Sequence, residues 1–164
     1  MAEAAKLYDE DFYLWTRNQA DALRCLAKER WNGPLDLEHL AEEVEDLGRS
    51  QLSTVVSQIE RVIELLLKLE YSPAADPRRG WLISVLNARG HACDQMTAAI
   101  RNEIEPALPR IYARARRRTL VSFTEHGELD LAAILPERCP FTLDQVLDQD
   151  WFPANQHGLA DRYT

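Results

Sequence analysis

The densest group of ionisable side chains in this 164-residue sequence is Asp36, Glu38, His39, Glu42, Glu43, Glu45 and Asp46. On a helix, His39 shares a face with Glu42 and Glu43, three and four residues further on. An imidazole with two carboxylates at that spacing can ligate a divalent metal ion. Helical metal motifs normally bring a second histidine, however, and His91, His126 and His157 are isolated in sequence. The same residues read equally as a solvated face whose acids suit the positive end of a helix dipole.

A second group is cationic. In the segment PRIYARARRRTLVSF, Arg110, Arg114 and Arg117 fall on one side of a helix, with Arg116 and Arg118 flanking them. Such a face can grip phosphates, bind an acidic partner protein, pair with the acids near Glu42 to Asp46, or simply be solvated. No aromatic residues interleave with the arginines, and no groove-reading motif is present. Arg89 is the third candidate, because it sits inside an apolar stripe. It reads either as a snorkelling stem with its guanidinium at the edge or as an anchor for an anion or carboxylate. No serine or cysteine lies in a recognisable nucleophile elbow, and no glycine-rich phosphate loop exists. No catalytic residue or cofactor is therefore assigned.

These groups need elements to hold them, and periodicity supplies the elements. From Asp36 to Tyr71, apolar residues recur at helical spacing: Leu37, Leu40, Ala41, Val44, Leu47, Leu52, Val55, Ile59, Val62, Ile63, Leu66 and Leu69. Glu42, Glu43, Asp46, Ser53, Ser57, Glu60, Arg61, Glu64 and Lys68 fall on the opposite side. Asp36 is the expected N-cap and Pro73 the stop. Gly48 lies inside this stretch, yet the stripe keeps phase across it. A continuous helix in which Gly48 admits a close neighbour is favoured over a break. A preceding helix is expected over Asp9 to Trp31, capped by Asp9 or Asp11, with Phe12, Trp15, Leu23 and Leu26 on its apolar side. The turn Trp31-Asn-Gly-Pro34 makes these two helices antiparallel neighbours.

After the loop Ser72 to Gly80, a helix opened by Asp76 and Pro77 is expected to end before Pro106. Another opens at Pro109 and ends at His126 and Gly127. Leu129 to Leu135 reads as a short helix. Thr142 and Gln145 form a capping box that opens the last one.

Composition agrees with an all-α fold. Hydrophobic residues make up 46% of the chain, and no run of alternating β-branched residues argues for a sheet. The expectation is one domain over 1–164: a helical bundle around the long central helix, with its core at about 9–125, short helices at about 128–153 and a loose tail over 154–164. The net charge of −8 argues against non-specific binding to nucleic acid or anionic membrane. No apolar run approaches a membrane span, and no signal pattern opens the chain, so the cytoplasm is expected. Cys25, Cys93 and Cys139 read as free thiols.

Three blocks carry a family resemblance. They are Leu7 to Trp15 (LYDEDFYLW), Leu40 to Ser50 (LAEEVEDLGRS), and Cys139 to Asp148 running on to Asp150-Trp-Phe-Pro153. In order and spacing the set resembles a bacterial family among the domains of unknown function, numbered twenty-nine. The resemblance implies an all-helical bacterial cytoplasmic protein and brings no activity, cofactor or catalytic residue. Related sequences often carry His-Leu-Leu-Lys-Trp near the end of the central helix. Here the matching run is Leu65 to Leu69 (LLLKL), which weighs against chemistry needing that histidine.

Three functions remain in view. The first is a non-enzymatic interaction or scaffold module with an unidentified protein partner, working through Arg110, Arg114, Arg117 and Arg89. The second is a metal-binding protein or metal-dependent hydrolase using His39, Glu42 and Glu43. The third is a nucleic-acid or antitoxin-like regulator using the arginine face. A homodimer is a further expectation. Leu52, Val55, Ile59, Val62, Leu66 and Leu69 repeat at coiled-coil spacing, so either later helices or a second copy must cover that seam.

Overall fold

A computed structural model describes residues 2–29 and 31–160. Among these residues every regular element is a helix. They are α1 (Ala2–Glu10), α2 (Phe12–Lys28), α3 (Leu37–Tyr71), α4 (Arg78–Gln95), α5 (Ala98–Glu125), α6 (Leu129–Ile134) and α7 (Leu143–Leu147). No helix here is long and apolar enough to cross a membrane. The helices distribute over two compact units. Unit 1 is Met1–Thr54 with Gln95–Glu103, and unit 2 is Val55–Asp94 with Ile104–Thr164.

In unit 1, the expected helix from Asp9 is interrupted at Asp11, which ends α1 and starts α2. Asp11 is buried, and its carboxylate accepts from two helix N-termini at once. Oδ1 takes the Leu14 amide of α2 at 2.9 Å, and Oδ2 takes the Ala99 amide of α5 at 3.0 Å. One anion thus satisfies orphan donors at the positive ends of two dipoles. The buried face of α2 is Tyr13, Thr16 and Ala20. That is one step round the helix from the expected Phe12, Trp15, Leu23 and Leu26, of which Leu26 is exposed. Phe12 and Trp15 instead cluster with Tyr8 of α1.

The α3 helix is continuous through Gly48. A Cβ built there would collide with Thr16 Oγ1 and sit 3.2 Å from Thr16 Cβ. The glycine is therefore a close-approach residue, and α2 packs where its side chain would be. Ala20 of α2 and Ala41 of α3 are likewise fully buried. Between the same two helices, Arg24 Nη2 meets Glu45 Oε2 at 2.5 Å. The guanidinium holds the Glu45 carboxyl below its ordinary value, and the carboxylate holds Arg24 above its own.

In unit 2, the second half of α3 is surrounded. Val55, Ile59, Val62, Ile63, Leu65, Leu66, Leu67 and Leu69 are almost wholly buried. The coiled-coil seam from Val55 to Leu69 is thus covered within a single chain, and Leu52 in unit 1 is half-buried. Glu60 and Glu64, expected on a solvent face, are buried too. Charge at both positions survives because each carboxylate meets two cations.

The α4–α5 region departs from the proline-based expectation. The break falls at Met96–Thr97, and Pro106 and Pro109 both lie inside α5. Thr97 opens α5, its hydroxyl accepting from the Ile100 amide at 3.2 Å and its carbonyl from Arg101. Both prolines are exposed, so the carbonyls they leave unpaired one turn earlier can be hydrated. As expected, α5 closes at Gly127. Its φ is +73°, and the Glu128 amide returns to the Phe123 carbonyl while Gly127 bonds to Thr124.

The capping box at Thr142 and Gln145 is fully formed. Of the tail expected to be loose, residues 155–157 are bonded to the end of α3, and residues 161–164 lie outside the described residues. Asn155 Nδ2 donates to the Leu69 and Ser72 carbonyls at 2.8 and 2.9 Å, and the Gln156 amide donates to Glu70 at 2.8 Å. These contacts satisfy carbonyls at the C-terminus of α3.

Candidate functional site

The arginine face of α5 is the largest cationic feature. Around the helix axis, Arg110, Arg114, Arg117 and Arg118 span about 100°, all on the exposed side. Opposite them on the same helix, Ile111, Tyr112, Ala115 and Phe123 are buried, which fixes the rotation of the helix. Arg114 Nε lies 3.0 Å from Glu60 Oε2, and Arg118 Nη2 lies 3.1 Å from Glu60 Oε1. One buried carboxylate of α3 therefore splays two guanidiniums that stay half-exposed, at 52% and 61%. Arg110 and Arg117 have no carboxylate partner among the described residues. An internal pairing with Glu42 to Asp46 is one of the alternatives that the sequence leaves open, and the internal partner here is Glu60.

Arg116 is not part of this face. Its Nε and Nη2 donate to the Pro136 and Leu135 carbonyls at 2.8 and 3.2 Å, and the Tyr112 hydroxyl also donates to Pro136 at 2.5 Å. Burial pushes the Tyr112 hydroxyl up to about 12. These two side chains anchor the segment after α6.

Arg89 is wholly buried, which removes the snorkelling reading. Its Nε donates to Val146 O at 2.8 Å and its Nη2 to Gln145 O at 3.0 Å. The guanidinium lies 4.9 Å from the Phe152 ring centroid, a cation–π contact. Desolvation lowers its pKa to about 10. Arg89 closes the C-terminal end of α7, so it serves the fold.

His39 lies at the exposed start of α3. Its Nδ1 is 2.6 Å from Asp36 Oδ2, and that contact holds its pKa above the ordinary value. Glu42 and Glu43 are exposed beside it. Among the described residues, no three His, Cys, Asp or Glu side chains converge to hold a metal ion. The metal ligand set expected from spacing is therefore not assembled.

Concavities open between residues of unit 2. One of about 230 Å³ is lined by Lys68, Trp81, Phe123, His126 and Glu128 among others. Two of its polar side chains are already engaged: Lys68 with Glu64 at 2.9 Å and His126 Nδ1 with Ser122 O at 2.7 Å. Another, about 490 Å³, includes Cys139. That thiol donates to Phe141 O at 3.3 Å, and burial raises its pKa, so it is held in the weakly nucleophilic protonated form.

Sequence reasoning missed Glu60 and under-weighted Arg118. The signal was available. Glu60 and Glu64 are spaced i, i+4 within the most apolar part of the longest helix, where an unpaired acid would be costly.

A family model described as a domain of unknown function, DUF29, matches residues 7–152. The chain belongs to the DUF29 family. It is also similar to a crystal structure of an alpha-helical protein of unknown function from Rhodospirillum rubrum. The identity is 31%, the match covers 87% of this chain and 90% of that one, and the TM-score is 0.75. No curated protein matches. The DUF29 membership and the solved relative agree with the all-helical fold expected from sequence, and neither names a reaction.

Proposed function

We infer that this DUF29 protein is a non-enzymatic interaction module of the bacterial cytoplasm, and that the arginine ridge of α5 takes an acidic segment of a partner protein. One observation carries the reading. Among the described residues, Arg110 and Arg117 stand on the exposed ridge without a carboxylate, beside two further guanidiniums that share Glu60. A face with more cations than local anions, in a chain of net charge −8, gains from a short acidic partner. Nucleic acid fits less well. From Arg110 to Arg118 the ridge is about 12 Å long, and the acidic remainder of the chain repels an extended polyanion.

The test is anisotropy titration of a fluorescent glutamate-rich peptide and of a single-stranded oligonucleotide against the full chain. The peptide should bind, and Arg110→Ala with Arg117→Ala should weaken it about tenfold or more while weakening its salt dependence. Oligonucleotide binding that is tighter than peptide binding would instead establish the regulator reading. No difference between wild type and variant would remove the ridge from the function.

A further inference from the structure

The outer ridge of the first half of α3 runs through Leu40, Glu43 and Leu47, at spacings of three and four. Leu40 and Leu47 are 39% and 55% exposed, although the apolar pattern expects them inside. The reason they are outside is local. Gly48, one residue further round the helix than Leu47, takes the close contact with α2, and Ala41, one residue beyond Leu40, is fully buried, which leaves the two leucines on the flank. Val44, between them, is half-buried. Glu43 lies on the same ridge and has no ion-pair partner among the described residues. Unit 1 as a whole holds thirteen Asp and Glu against seven Lys and Arg.

We propose that this leucine–glutamate ridge of unit 1 docks a basic amphipathic helix from a partner protein, a surface separate from the arginine ridge of α5. Two exposed leucines two turns apart match the apolar stripe of a helical ligand. The acid between them, in an acidic unit, selects lysine or arginine beside that stripe. A second copy of this chain fits worse. A two-fold pairing centred on this ridge brings Glu43 against its own counterpart, and like charges that close oppose assembly.

The probe is a labelled helical peptide of about 18 residues built from leucine and lysine in an amphipathic pattern, titrated into the full chain. Leu40→Ser with Leu47→Ser should weaken its binding by about tenfold or more. Glu43→Gln should weaken it by a smaller factor and flatten its salt dependence. Arg110→Ala with Arg117→Ala should leave it unchanged, which separates this surface from the α5 ridge. Both leucines are exposed, so a thermal melt should show the double serine variant folded. Equal peptide binding by wild type and the folded double variant overturns the proposal. So does a molecular mass that rises with concentration in wild type and falls back to monomer in the double variant, because a second copy would then be the occupant. Loss of folding in the double variant moves the decision to Glu43→Gln, whose unchanged affinity and salt dependence overturn it.

Discussion

Replacing Arg89 by methionine keeps much of its volume and removes every donor. The Gln145 and Val146 carbonyls then lose their partners in a site where water does not readily reach them, at a cost of about 2–5 kcal/mol. Lysine restores the charge but offers no planar fork for two adjacent carbonyls and no flat face for Phe152, so Arg89→Lys should recover little. Urea unfolding reads the loss, and hydrogen exchange at Val146 and Leu147 should quicken first. Exchange there at the wild-type rate would mean that α7 is held by Leu143 and Val146 packing alone. The same chemistry explains why sequence misled at this position. An arginine in an apolar stripe looks like a stem reaching for water, because its partners are main-chain carbonyls 56 and 57 residues away. Main-chain acceptors carry no sequence signature. Glu60 is the contrasting case: its partners are side chains, Arg114 and Arg118, and both ends of the pairing were visible as charges.

At the scale of elements, two prolines inside α5 set an expectation that stability measurements can check. Each proline removes one helical hydrogen bond and crowds the preceding turn, at a cost near 3 kcal/mol in a helix interior. Because both are exposed, Pro109→Ala should restore the bond without disturbing the core and stabilise the chain by about 1–3 kcal/mol. A lower melting temperature in Pro109→Ala would show that the proline's fixed φ is needed where it stands. The prolines also explain where the sequence reading of elements failed. By pattern proline is the breaker, whereas the break comes at Thr97, whose hydroxyl and neighbouring Asp11 offer a better start for a helix. Asp11 could be read as a cap for α2 from its position alone. Its second role, at the α5 N-terminus 88 residues away, lies beyond any local pattern. By contrast α3, the Gly127 terminus and the Thr142–Gln145 box were legible, because periodicity, left-handed glycine and reciprocal capping are all local. The stripe of α3 misleads only at Leu40 and Leu47, which stay exposed beside Ala41 and the close approach of α2 at Gly48.

At the scale of the whole molecule, the two units differ in what fills them. In unit 1 the buried positions on α2 and α3 are Tyr13, Thr16, Ala20, Leu37, Ala41 and Gly48, several with little apolar area to remove from water. Unit 2 buries Ile59, Val62, Ile63, Leu65, Leu66, Leu67 and Leu69 on α3 alone. At about 25 cal/mol per Å² of apolar surface, the second set stabilises its surroundings far more per residue. Native-state hydrogen exchange should therefore find amides of Thr16 to Ala20 opening at a lower free energy than those of Val62 to Leu67. Gly48→Leu sharpens the test. Its side chain has to displace Thr16, and such overpacking costs about 1–3 kcal/mol. If the units open separately, that cost should appear in the Thr16 to Ala20 amides and leave Val62 to Leu67 as slow as in wild type. A drop of equal size at both places would mean that α3 and α5, which run through both units without a break, bind the chain into one cooperative transition.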